Sequence, residues 1–318
     1  MKSDTRYGLI AVDKQGSNVL FLNPETFAVE RELNAFPPRP HELLILPKQH
    51  KAYVPIFGDG IHGDNPHPGH KIAVIDLLQR ELTGFIDVSP QESPHTARLG
   101  QDGYVYQCCE NSAAILVIDP ESDTIINRIA VPSHNAHRLT ILPSGQKLFT
   151  DNEEDGTITV VKLAEGQGKV IENIAMPGSV NGIAASPVLP YIVATDGDRP
   201  QLHVLDAQTH SLLQTLTLTG HQKASQLVRF SEDGSLLVVI GDQEPVISLF
   251  DGKLNPLGQV AVGHKPMDGC FSPDNRTLLI ANEDDGTLSV IDIASLKVIA
   301  TPSVGKGCEV LSYFRLPD

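Results

Sequence analysis

Three histidines, His41, His95 and His137, each stand six residues ahead of a short turn that recurs along the chain, at Pro47-Lys48-Gln49, Gln101-Asp102-Gly103 and Pro143-Ser144-Gly145. Carried onward, the same position is Asn181, Gln226, Met267 and Glu309, with successive steps of 54, 42, 44, 45, 41 and 42 residues. Three imidazoles and a carboxylate are the donor set that zinc prefers, and Fe(II), Mn, Ni or Cu accept it too. On this reading His41, His95, His137 and Glu309 hold a divalent metal, and in an enzyme Glu309 is the fourth ligand or the general base. Asn181 and Gln226 are weak ligands, suited to orienting a water or substrate by hydrogen bonds. Met267 is a filler or a soft ligand for copper.

Residues so far apart meet only if the chain brings one position of every repeat to a common axis. A near-constant period in the low forties is the signature of a β-propeller, each repeat being one four-stranded blade. The stretch MDGCFSPDNRTLLIANEDDGTLSVIDIASLKVIATPSVG from Met267 shows the grammar: a short inner strand, a turn, a Leu/Val-rich strand, an acidic Gly-rich loop and two further strands. The ring position opens each inner strand, so seven side chains converge on a central channel. GCEVLSYF, from Gly307, is an inner strand with no room for three more after it, and residues 6–34 read as three strands without an inner one. Pairing them completes a seventh blade and removes exposed sheet edges. The expectation is an all-β, seven-bladed β-propeller in one domain over 1–318, with blade 7 from 6–34 plus 307–315 and blades 1–6 from 40–305.

The loop between second and third strands returns to the face on which the inner strand begins. The long first step contains such a loop, FGDGIHGDNPHPGHK, which adds His62, His67 and His70 as a secondary metal-capture flap or an unconstrained insertion. His134, His221 and His264 lead into inner strands on that face, and the same loops supply Asp59, Asp64, Glu110, Asp151, Glu153, Glu283 and other carboxylates. Such a rim concentrates cations. No ring position is Arg or Lys, which argues against strongly anionic substrates. Arg138 follows His137 and, by period-two alternation, points away from the channel to pack between blades. Cys108 and Cys109 close a second strand near the histidine face, but these and Cys270 and Cys308 read first as buried small hydrophobes.

Composition sets the outer limits. The chain has 24 Lys plus Arg against 39 Asp plus Glu, a formal charge of -15, which disfavours nucleic acid as a partner. No apolar run approaches the length of a membrane-spanning helix. The start, MKSDTRYGLIAVDKQ, has no apolar leader, so the expected location is cytoplasmic, or periplasmic if a signal was removed before this sequence was defined.

ILVIDPESDTIINRIAVP from Ile115 and LLIANEDDGTLSVIDIASLKVIA from Leu278 resemble the YVTN-type branch of the WD40-like propellers over essentially the whole chain, without the Trp-Asp dipeptide of true WD40 proteins. Pro40-His41, Pro94-His95 and the stretch His62 to Asp64 also show a partial resemblance to propeller-type zinc metallochaperones, which pass zinc to a transport or storage partner. The fold alone is silent on function. Three readings follow: metal handling or delivery to an acceptor protein, with zinc as the preferred ion; a metal-dependent hydrolase, lactonase or lyase acting on a small neutral substrate at the same centre; and a protein-interaction platform around a hydrated channel, disfavoured by the scarcity of aromatic anchors.

Overall fold

The computed structural model describes residues 5–60 and 65–317, which fold into seven four-stranded antiparallel sheets with no helix. These are the seven blades of a β-propeller. The innermost strands are Leu44–Leu46, Pro94–Leu99, Leu139–Ile141, Val180–Ala185, Leu227–Phe230, Pro266–Phe271 and Cys308–Arg315, in blades 1 to 7 respectively.

Blade 7 closes the ring as the sequence predicts. Cys308–Arg315 pairs antiparallel with Tyr7–Asp13, setting Gly8 opposite Phe314, Ile10 opposite Ser312 and Val12 opposite Val310. Asn18–Leu22 and Val29–Leu33 complete that sheet on the outer side. Gly8 has a positional reason: a Cβ there would overlap the Phe314 ring.

Alternation along the second and third strands glues neighbouring blades. Leu9 and Ala11 pack with Leu279, Leu288 and Val290 of blade 6, whereas Ile10 and Val12 pack with Val54, Ala73 and Ile75 of blade 1. Each fully buried Leu or Ile contributes about 1.5–3 kcal/mol of transfer free energy, and the pattern repeats in all seven interfaces between blades. Outer strands such as Lys297–Ala300 are exposed throughout.

The inner strands begin irregularly. The register slips between Pro94 and Ala97, between Val180 and Gly182, and between Pro266 and Gly269. At blade 3 the His137 N–H donates to the Asp151 carbonyl, while the Arg138 carbonyl accepts from the Asp151 N–H, so two residues face one. Glu42, after His41, takes a left-handed φ of 63°. Such bulges suspend the alternation rule and re-aim consecutive side chains. The expectation that Arg138 turns out of the channel is therefore corrected: its guanidinium meets Glu42 of blade 1, Nη1 to Oε1 at 2.5 Å, across the axis.

Candidate metal centre

At the face where the inner strands begin, called the upper face below, His41, His95 and His137 come together with exposures of 6%, 2% and 2%. His41 Nε2 and His95 Nε2 are 2.5 Å apart, and the His95 ring centroid lies 4.2 Å from those of both His41 and His137. Glu110, just beyond the second strand Val105–Cys109 of blade 2, places Oε1 3.7 Å from His95 Nε2 and 3.8 Å from His137 Nε2. Two sets of donor atoms lie within 4.8 Å of one another among the described residues, His95/Glu110/His137 and His41/Glu42/His95.

The other ring nitrogens face polar groups. His41 Nδ1 lies 2.5 Å from Glu309 Oε2, and because a carboxylate only accepts, that nitrogen is the donor. His137 Nδ1 faces Glu153 Oε2 at 3.6 Å and Asp151 Oδ1 at 3.7 Å, and His95 Nδ1 faces Thr96 Oγ1 at 3.1 Å. For His41 the outer nitrogen is thus tied to an acceptor, the arrangement that orients a metal-binding histidine. Burial, reinforced by the neighbouring His137 and His41, pushes the His95 pKa well below its ordinary value and keeps the ring neutral. The donor set and its protonation fit a divalent transition metal.

Glu309 engages the ring nitrogen of His41 that faces away from His95. Its Oε1 accepts from Lys14 Nζ at 2.7 Å. Burial alone would raise this carboxyl, but His41 and Lys14 outweigh it and bring the pKa to about 2. Asn181, Gln226 and Met267, on the far side of the ring, are half-exposed, so the centre is closed toward blades 1 to 3 and open toward blades 4 to 6. Among the described residues neither the Asn181 nor the Gln226 amide has a side-chain hydrogen bond within the protein.

The secondary histidines stay apart. His67 Nδ1 pairs with Asp59 at 2.7 Å on the surface, and His70 Nδ1 is tied to the Gln91 carbonyl at 2.8 Å. His62 and Asp64 lie outside the described residues. His134 and His264 are exposed on the rim, and His221 is buried against Ser248. The cysteines are buried hydrophobes: Cys108 and Cys109 sit in the packing between blades, and burial raises both thiols.

Three groups escape sequence reasoning. Lys14 comes from the turn between the second and third strands of blade 7, where nothing marks it against other surface lysines. Phe57 lies over the rings of His41 and His95, centroids at 5.3 and 5.7 Å. The third is a charged layer below the histidines, with Glu42, Arg98, Arg138, Arg229 and Asp268 drawn from blades 1, 2, 3, 5 and 6. Arg229 grips Asp268 with two hydrogen bonds. The channel thus carries three arginines where the ring positions alone had suggested none.

No family model and no curated protein sequence matches this chain. Solved structures do. A periplasmic gluconolactonase of Pseudomonas aeruginosa is 21% identical, with a TM-score of 0.79 over 98% of this chain and 99% of that one. A putative 6-phosphogluconolactonase of Bacteroides uniformis is 15% identical, with a TM-score of 0.78 over 98% of this chain and 100% of that one. The hydrazine synthase of Kuenenia stuttgartiensis is 17% identical, with a TM-score of 0.73 over 92% of this chain and 97% of that one. At identities this low, what the chain shares with all three is the fold.

Proposed function

We propose that the protein is a metal-dependent hydrolase of small cyclic esters, a lactonase, working at the upper end of the central channel. The observation that carries this reading is the buried convergence of the His41, His95 and His137 imidazoles with Glu110, beside a half-open wall of unengaged amides. Zinc is the ion the donor set favours, with Fe(II), Mn, Ni or Cu as alternatives. A divalent cation held there supplies Lewis acidity to an ester carbonyl and a water molecule. Glu110 is the better proton acceptor, because Glu309, held near 2, is a weak base and is better suited to fixing His41. Asn181 and Gln226 orient the substrate by donating to its oxygens, and Phe57 excludes water from the histidine side. The two lactonase titles among the structural neighbours support the substrate class by analogy of fold.

Elemental analysis of untagged protein, paired with the His41/His95/His137 triple-alanine variant and a glucono-1,5-lactone assay, tests the reading. About one equivalent of metal and hydrolysis above the spontaneous rate, both lost in the variant, are expected. Metal without hydrolysis of any lactone would instead favour metal handling, for which the exposed His67–Asp59 pair on the same face is the supporting observation. The partner would then be a metal-acceptor protein, and the protein would release its ion to a chelator within minutes. Neither metal nor hydrolysis would overturn both.

A further inference from the structure

A second ring of seven positions borders the histidine ring, one at the end of each blade's second strand. In four blades a single hydrogen bond marks it: the backbone N–H donates to the carbonyl two residues ahead of the ring residue. These bonds run from Phe57 to Arg39, Glu110 to Ser93, Gly197 to Ser179 and Glu283 to Lys265, at 3.3, 3.1, 2.8 and 3.0 Å. Strand register puts Lys14 and Asp242 at the same place, since Asp13 pairs with Asn18 and Gly241 with Val246 as Asn282 pairs with Thr287. Glu153 completes the set, because Asn152 before it binds Thr157 and Thr159 as Asn282 binds Thr287 and Ser289. Side chains at this position reach the first ring. Phe57 covers His41 and His95, Glu110 faces His95 and His137, Glu153 faces His137, and Lys14 holds Glu309.

Blade 4 interrupts the second ring. Its member is Gly197, whose φ is not positive, so glycine is needed there for space and not for backbone freedom. A Cβ at that position would overlap Asn181 Oδ1 and Ser179 Oγ. The Asn181 amide thus stands in the gap that the other blades fill with a second-ring side chain, and it is half-exposed. Gly182 draws the next blade close, since a Cβ on it would overlap the Gln226 carbonyl. Two amides therefore share one notch. Its shoulders are acids: Glu153, whose carbonyl accepts from the Val180 N–H at 3.1 Å, and Asp242, half-exposed at the end of the blade 5 strand. Burial raises the Asp242 carboxyl and Lys265 offsets part of that, so a donor in a ligand favours this group. The cations of this rim, Arg199, Lys265 and Lys14, are each held by a carboxylate, Asp196, Glu283 and Glu309 respectively.

Resting on the lactonase reading for the reaction, we propose that the notch over blade 4 receives the substrate, that Gly197 positions Asn181 to bind it, and that the ligand is a neutral, hydroxyl-bearing lactone. Amides and a carboxylate are partners for hydroxyl groups. Lactones that carry a phosphate or carboxylate meet like charge on both shoulders and are turned away.

Two measurements on the metal-loaded full chain test this: hydrolysis of glucono-1,5-lactone against 6-phosphoglucono-1,5-lactone, and calorimetric binding of the unhydrolysable glucono-1,5-lactam. A kcat/KM at least about tenfold higher for the neutral lactone is expected, and Asp242→Lys should narrow that ratio. Gly197→Ala should raise KM and weaken lactam binding at least about tenfold with metal content unchanged, since only side-chain ends have to give way. On an Asn181→Ala background the same substitution should add little, because it acts through Asn181. Equal kcat/KM for the two lactones, or lactam binding undiminished in both Gly197→Ala and Asn181→Ala, overturns the proposal and leaves the lactonase reading standing. Lactam binding that follows these expectations without hydrolysis of any lactone keeps the notch and sinks the lactonase reading. Absence of lactam binding overturns the notch whatever the hydrolysis shows.

Discussion

Glu309 carries one proton-accepting edge toward His41 and the other toward Lys14, so its effect on the centre is through the tautomer of a neighbour. Glu309→Gln should weaken metal binding about 10- to 100-fold with the fold intact, as losses behind a ligating histidine commonly do. Titration with a competing chelator measures this directly. Glu110→Gln takes a carboxylate from among the donor atoms, so it should weaken metal binding and, with the metal restored to saturation, still lower kcat by about 100-fold or more while KM changes little. The buried pair below behaves differently. Arg138→Met strands the Glu42 carboxylate and should cost about 3–5 kcal/mol in urea unfolding, whereas Glu42→Leu combined with Arg138→Met should recover most of it. At this scale the sequence exposes His41, His95, His137, Asn181, Gln226 and Glu309, because a repeat template aligns them. Glu110 was visible only as one carboxylate of a rim, and Lys14 not at all, since their proximity to the histidines depends on where two separate turns fold back.

The elements explain why the template works and where it misleads. Ring residues sit at the irregular starts of inner strands, and there the backbone spends two residues against one of its partner, so His137 and Arg138 both reach the axis. Alternation, valid along Ile10–Val12 and its counterparts, fails at those starts. Whether a strand bulges is settled by its partner's carbonyls and caps, such as the Asp151 carboxylate that accepts from the Arg138 N–H at 2.7 Å. The closing pair has its own sensitive point. Gly8→Val would drive a side chain into the Phe314 ring and should destabilise the protein by about 1–3 kcal/mol, read as a lowered midpoint in thermal or denaturant unfolding. An equal stability for Gly8→Val would mean that Phe314 is free to move.

For the whole molecule, closure is the condition of everything at its axis. Glu309 belongs to the strand that joins the chain's two ends, so truncation after Lys306 removes a candidate metal-orienting residue and opens the ring at once. That truncated chain should lose cooperative unfolding and metal binding together, which circular dichroism and elemental analysis would report. The sequence by itself determined the seven-fold repeat, the all-β class, the joining of the first strands to the last, and the placing of three histidines on one end of the channel, because each follows from period and alternation along the chain. Only the tertiary structure decided which carboxylate lies against the histidine nitrogens, that Lys14 and Phe57 border the centre, and that a layer of arginines and carboxylates lies beneath it. Those relations join residues of different blades across the axis, where distance is governed by ring closure and by bulged backbone, and neither leaves a period in the sequence.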